Sequence, residues 1–175
     1  MIREITKYPN SILRKKCSPV QILRSKTWSG KEVKEIPEEI KRLGFDMVET
    51  MIENQGIGLA APQVRVLKRI IIVQTEKGPQ IFINPKILKK SKDEILGEEG
   101  CLSFPGLFLR IKRAKEVEGE ALDQEGEKIQ IKASGLPARI LQHEIDHLDG
   151  ILFIDRISFW QKLKIRKKLK LYGSN

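Results

Sequence analysis

The sequence predicts an α+β fold: antiparallel or mixed β-sheets packed around a central helix, with a further helix at the C-terminus. Three observations carry this expectation. Stretches rich in β-branched residues and stretches with helical apolar spacing are partly segregated along the chain, whereas a doubly wound α/β sheet would alternate them. Residues 135–148 combine an apolar helical face with both histidines of the protein. Residues 158–171 carry a basic pattern at helical spacing, and no acidic residue follows Asp155.

Taken in order, Pro19 to Pro37 is the least patterned stretch, and SKTWSGKEVKE within it reads as an exposed loop. Ile36, Ile40, Leu43, Met47 and Met51 then recur at helical spacing, with Pro37 where a first-turn proline is tolerated. This predicts a helix over 37–53, stopped near Asn54 and Gly56. RIIIVQ at 69–74 is β-branched and apolar, which predicts a buried strand. GPQIFINP predicts a turn followed by a strand ending at Pro85. Over 116–132, Val117, Gly119 and Ala121 alternate with charges, DQEG supplies a turn, and Ile129 and Ile131 resume the alternation, as in a hairpin. A second helix is predicted over 135–148, capped by Ser134, with Pro137 in its first turn and Gly150 as its stop. Leu136, Ile140, Leu141, Ile145 and Leu148 would form its buried face. The last helix covers 158–171.

A length of 175 residues suits one domain, expected to span 1–175. The composition, 40% hydrophobic and 32% charged, is that of a globular protein. No apolar run approaches the ~20 residues of a membrane span, and MIREITKYPN lacks a signal peptide's apolar stretch. A cytoplasmic location is expected, without stable membrane association. There Cys17 and Cys101 would stay reduced. The net charge of +10 favours acidic partners, chiefly RNA or a membrane surface.

His143 and His147, the only two histidines, lie four apart in QHEIDHLDG. On a helix that spacing puts both imidazoles on one face, where they can grip one ion. Glu144 lies one residue round, the H-E-x-x-H arrangement in which the Glu is a general base. A catalytic site needs a third protein ligand and an open position. No Glu follows Glu144, and Phe153 stands where an extended motif would place a third His. Asp149 and Asp155 are available, but Cys101 in EEGCLSFPG is the better candidate, because a thiolate binds Zn²⁺ or Fe²⁺ well without sequence proximity. Cys17, in RKKCSPV, reads as a buried core residue. In GIGLAAPQ, Gly56 and Gly58 allow close backbone approach, Ala60 and Ala61 leave room, and Gln63 offers an amide donor.

GIGLAAPQ at 56–63, EGCLS at 99–103 and QHEIDH at 142–147, in this order and spacing, resemble the peptide deformylase family across almost the whole chain. YPNSILR at 8–14 also looks like the family's opening segment. Departures are Asn10 where Asp is common, Arg65 where a small residue is frequent, and a longer segment around 20–36. The resemblance implies that Cys101, His143 and His147 hold one divalent metal with water as fourth ligand. The ion would be Fe²⁺ in the first place and Zn²⁺ as the alternative, with Ni²⁺ or Co²⁺ able to substitute. The bound ion would make hydroxide available to attack the formyl carbon, with Glu144 as general base and then acid. Gln63 and the Leu102 backbone N–H would face the oxyanion. Gly58 would lie along the substrate, and Ile57, with apolar neighbours such as Ile140, would help receive its methionine side chain. The implied substrate is the formylmethionyl end of a new polypeptide, and the products are formate and a free amino terminus.

The basic tail FWQKLKIRKKLKLY suits RNA phosphates, and the resemblance implies contact with the ribosome. Removing 160–175 is then expected to weaken ribosome binding and leave small-peptide hydrolysis largely intact. The competing readings are an H-E-x-x-H endopeptidase and a non-enzymatic RNA-binding protein with a structural metal.

Overall fold

The computed structural model describes residues 1–26, 28–30 and 32–172. A five-stranded sheet is built from β3 (Gly58–Ala60), β4 (Ile70–Thr75), β5 (Gly78–Lys90), β8 (Glu116–Leu122) and β9 (Lys128–Ser134), in the order β3-β4-β5-β8-β9. Every neighbouring pair in it is antiparallel. Helix α1 (Glu38–Glu53) and helix α2 (Gly135–Leu148) pack against it through separate cores. The division follows the two-residue period of a strand. Ile70 and Ile72 of β4 join Ile40, Leu43, Met47 and Met51 of α1. Ile71 and Val73 join Ala138, Ile140, Leu141, Ile145 and Leu148 of α2. A strand covered on both faces needs apolar residues at every position, which is why RIIIV shows no alternation.

The other sheets are two-stranded and antiparallel: β1 (Leu23–Lys26) with β2 (Glu32–Glu35), and β6 (Glu94–Cys101) with β7 (Phe104–Ala114). Leu107, Leu109 and Ile111 alternate along β7 into a third core with Leu13, Phe104, Leu152 and Phe153. The C-terminal helix α3 (Phe159–Leu171) docks there through Ile165 and Leu169, with Tyr172 just beyond. Its entry is capped reciprocally, Ser158 Oγ accepting from Gln161 N and Gln161 Oε1 from Ser158 N.

The α+β class and the three helices agree with the sequence reading, and the details correct it in several places. The stretch read as an exposed loop carries the β1–β2 pair, whose strands are too short and polar to show a pattern; Thr27 and Lys31 lie outside the described residues. All strand pairing among the described residues is antiparallel, and the parallel element is one isolated bridge, Ser18 to Lys68. β5 continues past Pro85 to Lys90. The proline has no N–H to give, and the ladder absorbs it in an irregularity between Ile83 and Lys86, where Asn84 takes φ 51°. Ser134 is the N-cap of α2, but its side chain makes no capping hydrogen bond. The helix is entered instead through Gly135 at φ 61°, whose N–H donates to Lys115 O. Leu136 is 58% exposed rather than buried.

Phe153 is 1% exposed and its ring meets Phe104 edge-on at 5.1 Å. Phe153→Ala is expected to lower stability by about 3–5 kcal/mol. A urea titration checks this as a lower midpoint at unchanged slope.

Candidate metal centre and active site

α2 presents His143 and His147 on one face, 7% and 1% exposed, with ring centroids 5.0 Å apart. Cys101 closes β6. The β6–β7 register shifts between Glu99 and Cys101, and such a bulge re-aims the side chain that follows it. Cys101 Sγ lies 3.3 Å from His147 Nε2, and one donor atom from each of Cys101, His143 and His147 falls within 4.8 Å of the others. One thiolate and two imidazoles are a donor set for Zn²⁺ or Fe²⁺.

Burial and neighbouring groups shift the two imidazoles in opposite directions. Burial pushes His147 well below its ordinary pKa and keeps the imidazole neutral, the form that ligates. Burial also opposes charge on His143, but hydrogen bonds to Cys101 and Glu99 outweigh it and raise its pKa well above the ordinary value.

Glu99 organises the layer behind. It accepts from His143 Nδ1 at 2.9 Å, which leaves Nε2 as the nitrogen that could take an ion. It also accepts from Arg113 at 2.9 and 3.0 Å and from Arg139 at 2.7 Å. Burial alone would raise its pKa; the bonds from His143 and Arg113 reverse that and hold it at about 2. Arg113 and Arg156 both donate to Asp146, on the turn of α2 between the histidines.

Glu144 is 5% exposed, and burial pushes its carboxyl up to about 7. A base tuned near neutrality suits proton transfer at physiological pH. Among the described residues its Oε2 has no hydrogen-bond partner. A Cβ built on Gly58 would lie 2.3 Å from Glu144 Oε1 and 2.9 Å from Ile140 Cγ2, so a side chain there would displace the Glu144 carboxylate. A Cβ on Gly56 would meet Leu102 at 2.8 Å. Gln63 is fixed at both ends: Oε1 accepts from Ala60 N at 2.8 Å, and Nε2 donates to Ser103 Oγ at 3.0 Å, 3.6 Å from Cys101 Sγ. A cavity of about 570 Å³ opens onto Gln63, Cys101, Leu102, His143 and Glu144. Ile57, Gly58 and Ile140 line it too, Ile57 half-exposed at its edge.

All the sequence-selected site residues therefore meet at one place. The alternative third ligands do not: Asp149 pairs with Arg69, and Asp155 with Arg14 and the Leu152 N–H. Cys17 is buried, and burial pushes its thiol up to about 11. Sequence reasoning missed Glu99, Ser103, Arg113, Arg139 and Asp146 as site-building residues. Glu99, Ser103 and Asp146 lay inside EGCLS and QHEIDH and carried a signal; Arg113 sits among other basic residues, and Arg139, alone in GLPARIL, carried none.

Residues 2–163 match the family model of polypeptide deformylase. The chain belongs to the peptide deformylase family. It is 48% identical over 174 residues to the peptide deformylase of Thermodesulfovibrio yellowstonii, covering 97% of each. To that of Clostridium botulinum it is 46% identical over 155 residues, 89% of this chain and 96% of the relative. Among solved structures, the peptide deformylase of Ehrlichia chaffeensis superposes with a TM-score of 0.84 at 35% identity, covering 98% of this chain and 96% of that one. That of Thermotoga maritima gives 0.81 at 37%, covering 90% and 99%. This family is metal-dependent and hydrolytically removes the N-formyl group from the formylmethionyl end of nascent peptides, and that is the activity of this chain. The endopeptidase and RNA-binding readings give way to it.

Glu99→Gln is expected to weaken Co²⁺ affinity by about 10–100-fold. Competition with a chromophoric chelator reads this, on protein whose circular dichroism shows it folded.

Proposed function

We propose that Cys101, His143 and His147 hold the ion of this deformylase and that Glu144, Gln63 and the Leu102 N–H act on the formyl group. The carrying observation is the convergence of three ligand atoms beside a buried carboxylate with an unpartnered oxygen, at a cavity that Cys101, His143 and Glu144 line. When bound, the ion supplies Lewis acidity that activates water and polarises the formyl oxygen. Glu144 takes the proton of the attacking water and returns it to the leaving nitrogen, which exits as an amine. As the formyl carbon becomes tetrahedral, Gln63 Nε2–H and the Leu102 N–H donate to its oxygen. Gly58 lets the substrate backbone pass close to Glu144, while Ile57 and Ile140 receive the methionine side chain. Fe²⁺ is the proposed ion, Zn²⁺ the alternative, and Ni²⁺ or Co²⁺ substitutes; the thiolate and imidazoles accept each.

The whole chain, 1–175, is proposed to act as one catalytic domain in the cytoplasm. No helix among the described residues is long and apolar enough to cross a membrane. α3 is proposed to contact the ribosome. Its inward face is taken up by the third core, and Lys164, Arg166 and Lys167 remain exposed, beside Phe159 and Trp160.

Formate release from a formyl-Met-Ala-Ser peptide by Fe²⁺-loaded, anaerobically purified protein tests the site. The parent is expected to release formate, and Cys101→Ala and Glu144→Ala to be nearly silent. Replacing Gln63 by Leu should cost about 10²–10³-fold in rate, and Gly58→Ala, which displaces Glu144, about 10²-fold. A fully active Glu144→Ala enzyme would falsify the assignment of the base. For the tail, Lys164→Glu, Arg166→Glu and Lys167→Glu together should weaken ribosome co-sedimentation and flatten its salt dependence; unchanged binding would remove the ribosome from the account.

A further inference from the structure

The chain turns at Leu102 and Ser103, and β7 opens on a bulge in which Pro105 to Phe108 stand against Gly100 alone; Pro105 and Gly106 of that bulge wall the substrate cavity. Four carbonyls here are held by parts of the chain remote in sequence. Leu102 O accepts from Lys7 Nζ at 2.8 Å and Ser103 O from Tyr8 N at 2.9 Å. Pro105 O accepts from the Tyr172 hydroxyl at 2.6 Å and Gly106 O from Lys168 Nζ at 2.9 Å. The first two donors belong to the N-terminal segment, the last two to α3 and the residue after it.

The bulge leaves Pro105 and Gly106 without a register partner in β6. Gly106 sits at φ 71° with nothing within 4 Å of its absent Cβ, and a glycine takes positive and negative φ about equally readily. Its conformation therefore depends on bonds from outside. Tyr172 adds an edge-on ring contact with Phe104 at 5.8 Å, and burial raises its phenol pKa, which keeps the hydroxyl a donor. Pro105 also lines a second cavity, of about 710 Å³, whose wall includes Lys168 and Tyr172. It is thus the partition between the substrate cavity and the C-terminal helix.

We infer that Tyr172 and Lys168 are positioning residues of the deformylase site: they fix the bulge at Pro105 and Gly106 and through it the shape of the cavity that receives the formyl-peptide. The C-terminal helix then sets substrate affinity while its outer face stays free for other contacts. This inference rests on the activity assigned above. It also revises the expectation that removing 160–175 leaves small-peptide hydrolysis intact, since both donors would go with the helix.

The test is a KM-against-kcat comparison on formyl-Met-Ala-Ser with metal-loaded, full-length protein. Tyr172→Phe keeps the ring and removes the donor; Lys168→Met removes the charge and keeps most of the stem. The double variant should raise KM about 5–30-fold, the range that one or two kcal/mol of lost bonding gives, with kcat nearly unchanged. Lys168→Arg should restore most of the loss due to Lys168→Met. Lys162→Met, elsewhere on the same helix, should leave KM at the parent value, and thermal midpoints verify that every variant is folded. A folded double variant with the parent's KM, or with its whole loss in kcat, overturns the inference while leaving the activity standing. A parent that releases no formate with any of the four metals overturns the activity reading and this inference with it.

Discussion

The carboxylate of Glu99 is the interaction on which the site depends. It is 6% exposed and binds His143, Arg113 and Arg139 at once. A carboxylate taken out of water is costly unless it is fully paired, and this one is paired by groups from both α2 and β7. The same bonds orient His143, tie the helix to the hairpin and place Cys101, two residues further along β6, beside His147. Arg113 extends the layer to Asp146, and Arg156 closes it from beyond the helix. Removing one partner would strand a buried charge, typically at ~3–5 kcal/mol. The placing of the three candidate ligands and the stability of the fold therefore share one set of bonds.

The rest of the architecture serves that junction. The five-stranded sheet carries α1 on one face and α2 on the other, so the histidine helix is clamped rather than merely docked. β3 passes under Glu144 at Gly58, where a side chain would displace the carboxylate. The 3-10 turn at Ala61–Val64 follows at once, and its Gln63 is held by Ala60 and Ser103 before any substrate arrives. In the role proposed for it, a donor fixed in advance would cost no reorganisation as charge develops on the formyl oxygen. Enclosure does the same for Glu144: burial that would be a liability elsewhere brings its pKa near 7.

What could be read from the sequence was what is local. The four-residue spacing of the histidines, the glycines of GIGLAAPQ and the apolar periods of α1 and α2 each need only a few neighbouring residues to declare themselves. Cys101 could be proposed from its chemistry, but its meeting with the histidines rests on the β6–β7 hairpin, which no pattern announced. EILGEEGC puts exposed Ile95 and Leu96 next to each other and buries Glu99, so its alternation contradicts its burial. Arg113 and Arg139 look like ordinary surface charges because their partner lies 14 and 40 residues away. Pro85 marked a strand end by the usual rule, yet Asn84 at positive φ carried the strand through it. In each case a tertiary contact overrode the local preference.

The central claim is that one thiolate and two imidazoles, set by Glu99, form a single metal centre. The most direct measurement is the absorption spectrum of the Co²⁺-loaded protein beside its Cys101→Ser variant. The account predicts an intense sulfur-to-cobalt charge-transfer band, with visible bands of a low-coordinate ion, at one Co²⁺ per chain, and loss of the charge-transfer band in the variant. A parent without that band, or a variant that keeps it, would contradict the account.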